Sequence, residues 1–424
     1  MKKAATLTLV LALLFSAVAG TQIVKKARAE TITVPDDYDT IQDAINAANE
    51  GDTIFVKKGI YEEHALEINK TLSLIGEDKS STIIKDKDTS VPKTTATVQI
   101  VANDVKVTGF TITDGARGID GTGDRTQIID NIIMAEEGRV TLEGNNHTIA
   151  QNIIKSPENT ATLLSPEGVS FGVGYGIRCI GLYNNISANE FAGPSLECIM
   201  LGGESLVYGN VAKDSGFMKV YGDKNLIFSN NMTGFTVGIW LYTGSNNVVC
   251  ANRITLAYEG ISISGYDNTL FANEITNCSC GVSIERLQPS LDYKNGSLEM
   301  NNTFYHNNFV DNSPQLRTRN DTNFWDNGKE GNFWSDYNGT DANGDGIGDT
   351  PRVIDANRQD NFPLMAPFDI SSVTVELPDW ASPSPSLEPN TTSPPFPTAL
   401  VIALVVIITV EGIGLLIYFK KRKR

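Results

Sequence analysis

Histidine is nearly missing from this chain. There are three, His64, His147 and His306, far apart in sequence. That excludes a transition-metal site built from neighbouring imidazoles. Cysteine is sparse too. The five residues Cys179, Cys198, Cys250, Cys278 and Cys280 are few and odd in number, so they make no disulfide framework. The Cys278-Ser279-Cys280 spacing is not a zinc pattern, and all five read as small buried hydrophobes. Basic side chains fall short of acidic ones, 34 Lys+Arg against 50 Asp+Glu, a formal charge of −16. A protein that grips phosphates presents a basic stripe, so a nucleic-acid partner is excluded. The body also lacks any helix-length apolar stripe, which leaves short β-rich runs as its building material.

The basic residues that do occur sit at the ends. Lys2, Lys3, Lys25, Lys26 and Arg28 precede residue 30, and Lys420, Lys421, Arg422, Lys423 and Arg424 finish the chain. Removing those ten leaves 24 basic and 50 acidic side chains in residues 30–419, a net −26. Residues 1–29 read as a signal peptide, with a positive start, an apolar run from Leu7 to Val18, and small-x-small cleavage candidates at Ala17–Ala19 and Ala27–Ala29. Ala399–Phe419 carries one charge, Glu411, and at the helical rise is about 31 Å long, enough for a transmembrane helix. The basic tail 420–424 then belongs in the cytoplasm and the body outside, at the cell surface. Residues 371–398 form a Pro/Ser-rich linker. Asn-x-Ser/Thr sequons such as Asn69-Lys70-Thr71 and Asn390-Thr391-Thr392 permit glycosylation outside the cell.

The body repeats. Asn131, Asn152, Asn189, Asn210, Asn231, Asn252, Asn273 and Asn308 recur with a basic period of 21, two steps being lengthened by insertions. Three positions before each stands an apolar residue, and two after nearly always another. Such a period implies stacked coils of short strands, each burying its inner face only against its neighbours. The asparagine suits a fixed corner, where it tolerates left-handed angles and stacks its amide. The expected fold is an all-β, single-stranded right-handed parallel β-helix of about ten or eleven coils over residues 30–312. Asp39-Thr40-Ile41-Gln42 reads as a capping box opening an N-terminal capping helix, ended by Gly51. Asp52–Val56 then begins the first strand.

Val34-Pro35-Asp36-Asp37-Tyr38, Thr40–Ile45, Gly51–Ile54 and Gly59-Ile60-Tyr61 resemble the opening of pectin-lyase-type right-handed parallel β-helices. The Asn-x-Ile units resemble NosD-like members of that superfamily. Tyr305–Phe309 and Gly331–Tyr337 are similar to the ending of NosD-like membrane-anchored surface proteins of archaea. The resemblance implies a fold that hosts several chemistries, among them polysaccharide lyases, hydrolases and epimerases. It also implies copper-centre maturation, but soft-ligand clusters are not visible and no copper site is assigned.

Within 313–370, an aromatic C-terminal cap, the sharpest motif is Asp341–Asp349. Oxygen-bearing residues at alternate positions with glycine at the sixth match a calcium loop, with Asp341, Asn343, Asp345, the Ile347 carbonyl and Asp349 as ligands. Arg352 replaces the bidentate acid of an EF-hand. Phe304, Tyr305, Phe309, Phe324, Trp325, Phe333, Trp334 and Tyr337 are expected to plug the lower end of the coil rather than form a sugar platform. Glu136, Glu137, Glu158, Glu167, Asp214 and Glu274 read as solvated coil faces, so no catalytic residue is assigned. Insertions near 156–170 and 286–299 are the place to seek a groove. The expected function is a non-catalytic carbohydrate-binding or adhesion module, with a polysaccharide or envelope component as partner.

Overall fold

The computed structural model describes residues 29–88, 95–156, 163–164, 170–171, 174–193, 197–214, 216–284, 300–318 and 322–381. Contacts divide the chain into two units, Met1–Thr374 and Val375–Arg424. The described part of the second holds a short 3-10 turn, Asp379–Ala381. The expected membrane helix 399–419 and tail 420–424 lie outside the described residues, as do nearly all of the expected signal peptide and the linker beyond 381. Among the described residues, no helix is long and apolar enough to cross a membrane.

The first unit is a right-handed parallel β-solenoid. Three parallel sheets of 12, 12 and 11 strands run its length. One coil, for example, takes Thr148–Ala150 in the first sheet, Ile153–Lys155 in the second, Tyr175–Leu182 in the third, then Asn185–Ser187 back in the first. Twelve first-sheet strands exceed the ten or eleven coils expected. Part of the difference lies at the start: Thr31–Val34 is already a strand, paired with Thr53–Val56. At the inter-strand spacing the stack is about 50 Å long. Strand positions alternate in and out, so Ile128, Ile149, Ile186, Val207, Ile227, Val249 and Leu270 form one buried column. All five cysteines are buried thiols.

The asparagine column differs from the expected one at two places. It runs Asn131, Asn152, Asn189, Asn210, Asn230, Asn252, Asn273, Asn307 and Asn332, each side-chain Oδ1 accepting the backbone N–H of the preceding member at 3.0–3.1 Å. Asn230 and Asn307 stand where the 21-residue count indicated Asn231 and Asn308, because individual coils lose or gain a residue at their bends. With the register corrected, the exception at Thr233 vanishes: Met232 follows two places after Asn230 and Phe309 two after Asn307, and both are buried. Asn231 faces solvent. Asn308 instead exchanges two 2.8 Å hydrogen bonds with the backbone of Phe368. A second ladder, invisible to the period count, joins His147, Asn184, Ser205, Asn225, Asn247, Asn268, Asn302 and Asn323.

The helix Ile41–Ala47 packs on the first strands and buries Ile41, Ala44 and Ile45. Its N-cap is Thr40, which accepts from Asp43 N–H, so the box is Thr40/Asp43 and not the Asp39 register expected. Glu63 accepts the Ile41 N–H at 2.8 Å. Lys70 donates to the carbonyls of Ile45, Asn46 and Ala48, groups that a helix end leaves unpaired. The helix stops at Ala47, ahead of Gly51, because Ala48 is already extended. Over the last coils, Phe304 stacks on Trp325 and Phe309 on Trp334, both at 4.3 Å, and all four are buried. Phe324 instead stays exposed.

Candidate functional site on the third sheet

The outer face of the third sheet carries the densest non-ladder chemistry. Strand alternation sends Phe217, Lys219 and Tyr221 to one face, and pairing in parallel with Val237–Leu241 sets Trp240 level with Lys219. Tyr242 lies beside Tyr221, with ring centroids 5.0 Å apart. The Lys219 ammonium lies 4.2 Å from the Tyr242 ring centroid, 4.6 Å from Trp240, 4.9 Å from Tyr221 and 5.7 Å from Phe217. All four fall within cation–π reach. The rings brace each other: Phe217–Trp240 and Trp240–Tyr242 meet edge-on at 5.6 and 4.9 Å. The result is an ordered cation framed by aromatic surface.

Further toward the N-terminus, the same face holds a groove of about 370 Å³ lined by Arg117, Asp120, Glu137, Thr141, Tyr175 and Arg178, among others. Register links the two parts, since Thr141, Arg178, Met200, Lys219 and Trp240 are successive partners across five strands. Arg117 pairs with Asp120 at 2.8 Å and Arg178 with Glu143 at 3.6 Å. Cations and carboxylates therefore alternate here, although the body as a whole is strongly acidic. Glu137, expected as a solvated coil acid, lines this groove. Glu136 and Asp214 are exposed, and Glu274 pairs with Arg253 at 2.8 Å. Glu158 and Glu167 lie outside the described residues. So do most of both insertions, which the chain inserts immediately before Tyr175–Leu182 and after Val282–Ile284, both third-sheet strands.

The Lys219 cluster was missed in the sequence, where aromatic density drew attention to residues 304–337. The signal was present: Phe217-x-Lys219-x-Tyr221 and Trp240-x-Tyr242 alternate at the strand period and lie one coil apart.

The Asp341–Asp349 residues form an exposed loop organised around its own backbone. Asp341 accepts N–H bonds from Gly344, Asp345 and Gly346. Asn343 accepts from Asp345 N–H, Asp345 from Ile347 N–H, and Asp349 from Ala342 N–H. The Ile347 backbone bridges to Leu364.

The histidines sit on separate coils. His147 is a buried ladder member whose Nδ1 accepts the Thr126 N–H, and burial pushes its pKa down. His306 lies 2.6 Å from Glu330 and stacks on Phe368 at 4.2 Å. His64 is exposed, 3.5 Å from the buried Asp86. Burial pushes the thiols of Cys179 and Cys250 up to about 12 and that of Cys280 up to about 11, so they are not ready thiolate ligands. No group of three or more His, Cys, Asp or Glu side chains that could hold a metal ion occurs among the described residues.

With this geometry in place, the relatives can be set beside it. The family described as periplasmic copper-binding protein (NosD) has a model that matches residues 166–277 and 198–339. Together those stretches span residues 166–339, less than half of the chain, and over them the chain is similar to that family. Its histidine and cysteine residues nevertheless do not fit a copper centre, for the reasons just given. No curated protein matches the sequence. Among solved structures, a polygalacturonase from Erwinia carotovora ssp. carotovora is 14% identical with a TM-score of 0.45, over 72% of this chain and 99% of that one. The catalytic domain of a GH87 alpha-1,3-glucanase in complex with nigerose is 12% identical with a TM-score of 0.47, over 70% of this chain and 69% of its own. An alginate lyase from Paenibacillus sp. str. FPU-7 is 14% identical with a TM-score of 0.38, over 59% and 97%.

Proposed function

We propose that this NosD-like solenoid is a non-catalytic carbohydrate-binding module that presents the outer face of its third sheet to a polysaccharide of the cell envelope. The observation that carries the reading is the ring of Phe217, Tyr221, Trp240 and Tyr242 around Lys219, continued by the groove at Arg117 and Arg178. Aromatic faces supply rigid apolar area for a sugar ring, and the fixed cations and carboxylates supply hydrogen bonds that orient it. In this reading the helix 399–419 anchors the protein and the solenoid lies outside the cell. The helix Ile41–Ala47 and the aromatic C-terminal region then close the two ends of the stack.

The test is retention of the full-length protein on a panel of neutral, acidic and amino-sugar polysaccharides, with reducing-sugar and unsaturated-product assays alongside. Binding that falls roughly tenfold in Trp240→Ala, without loss of fold, is expected. Absence of binding to every member would overturn the reading. A polysaccharide-cleaving alternative draws on Asp120, Glu137 and Glu143 around the groove; turnover abolished by a single acid-to-amide change at one of them would establish it.

The calcium assignment extends the same proposal. Asp341, Asn343, Asp345 and Asp349 would bind the ion by exchanging their present backbone partners for it, with the Ile347 carbonyl as a further ligand. Calorimetry on the full-length protein checks this: no heat and no thermal shift at millimolar calcium refutes it.

A further inference from the structure

One buried charge lies near the groove, on the third-sheet strand Gly138–Glu143. Arg139 stands level with Gly118 in the preceding strand and Gly176 in the following one. Glycine also fills the equivalent place at Gly238, Gly260 and Gly281. The reason is steric. A Cβ on Gly118 would meet Ile133 Cγ2 at 2.5 Å, one on Gly238 would meet Ile254 Cγ2 at 2.6 Å, and one on Gly260 would meet Ile275 Cγ2 at 2.5 Å. Two other coils place small side chains there, Thr97 and Cys198, whereas this coil, between Gly118 and Gly176, buries a whole guanidinium, fully shielded from solvent. Its donors reach Lys155 O at 3.2 Å, Tyr175 O at 3.3 Å and Ser156 Oγ at 2.9 Å. None of these is a carboxylate, and burial pushes its pKa down to about 10. A buried charge held only by neutral acceptors is a costly way to fill a strand position, and apolar or small replacements commonly stabilise such sites.

What the expense secures is the start of the strand Tyr175–Leu182. Tyr175 is held from both sides: its N–H donates to Glu137 O at 2.8 Å and its carbonyl accepts from Arg139. Tyr175, 37% exposed as a residue, lines the groove with Glu137, Thr141 and Arg178. We propose that the groove is a carbohydrate subsite and that Arg139 is its positioning residue, fixing Tyr175 from behind without touching the ligand. The inference rests on the carbohydrate-binding reading of this face.

Arg139→Gly in the full-length protein tests it, because glycine is what the neighbouring coils carry. The melting temperature should hold or rise, while affinity for the polysaccharide retained by the wild type falls roughly tenfold, matching Tyr175→Ala. The Tyr175 amide should also exchange faster with deuterium, while Val140 and Ile177 keep their protection. If Tyr175→Ala loses affinity but Arg139→Gly does not, the positioning role is overturned and the carbohydrate reading stands. If the wild type binds no glycan, the carbohydrate reading falls, and with it the subsite. Unchanged exchange at Tyr175 in Arg139→Gly then removes the positioning role as well. Should Arg139→Gly not fold, Arg139→Lys keeps the charge but loses the three-way fork; wild-type affinity in that variant overturns the proposal.

Discussion

The first coil and the last coils of this solenoid satisfy themselves by opposite chemistries. At the first coil the unmet groups are backbone amides on strand edges, and polar side chains meet them. Gln42 accepts the Glu67 N–H at 2.8 Å and donates to the Glu67 carbonyl at 3.2 Å, acting as a one-residue strand. Asp37 takes the Thr33 N–H while its own N–H reaches the Thr33 carbonyl. At the last coils the unmet surface is the apolar lumen, and indole rings meet it. There the asparagine column ends on a carboxylate: Asp360 accepts the Asn332 N–H at 2.8 Å and Trp334 Nε1–H at 2.9 Å. Edges need directional partners at small energetic stakes, whereas the lumen needs volume, and volume carries the larger free energy.

The largest effect is therefore expected at the C-terminal side. Trp334→Ala removes a ring that is 1% exposed and takes the indole donor from Asp360. It should destabilise by about 3–5 kcal/mol, read as a shifted denaturant midpoint. If it costs no more than substitutions at the first coil, the comparison fails.

Acid sharpens the contrast by sign. Burial outweighs the donated hydrogen bonds and pushes Asp360 up to about 6 from its ordinary 3.8. The folded state thus binds that proton more tightly than the unfolded chain. Stability should rise as pH falls from 7 through 6 toward 4, by up to about 3 kcal/mol. Asp52, near the first coil, behaves oppositely. Backbone N–H groups of Glu30 and Asn49 hold it below the usual carboxylate range. Its contribution is present above 3.8 and lost as pH falls through its lowered value. Melting curves across pH should lose the acid gain in Asp360→Asn and the steep acid loss in Asp52→Asn.

Between the two regions the ladder offers an intermediate test, and it shows how much the sequence disclosed. Asn230→Ala strips the acceptor of the Asn210 N–H and the donor to Val207 O inside the core. A cost of about 2–3 kcal/mol is expected. Asn231→Ala, one residue on and exposed, should stay within about 0.5 kcal/mol. The period, the coil architecture and the inner columns were legible because stacking forces every coil to repeat its inward pattern. The slips at Asn230 and Asn307 were not, because a bend absorbs one residue without disturbing that pattern. Site chemistry was less legible still. Outward residues such as Lys219 and Trp240 obey no repeat, and their meeting depends on register between coils. The Asp341–Asp349 loop was readable as a motif from local spacing alone. What that spacing could not convey is that its carboxylates are engaged by their own amides.

The smallest effect is expected at Gln42. Gln42→Ala leaves Glu67 N–H and C=O without their side-chain partner, but both lie at the surface where water replaces it. The expected cost is about 1 kcal/mol, resolvable in a thermal melt. The more telling measurement is sedimentation. Leu66–Ile68 is the terminal strand of the third sheet, and with its amide pair bared it becomes a template for another strand. A concentration-dependent rise in mass for Gln42→Ala, absent from the wild type, would identify this one glutamine as the residue that keeps the sheet from continuing. An unchanged mass would mean that the helix Ile41–Ala47 blocks the edge by its bulk, and that the amide pair contributes nothing beyond its two hydrogen bonds.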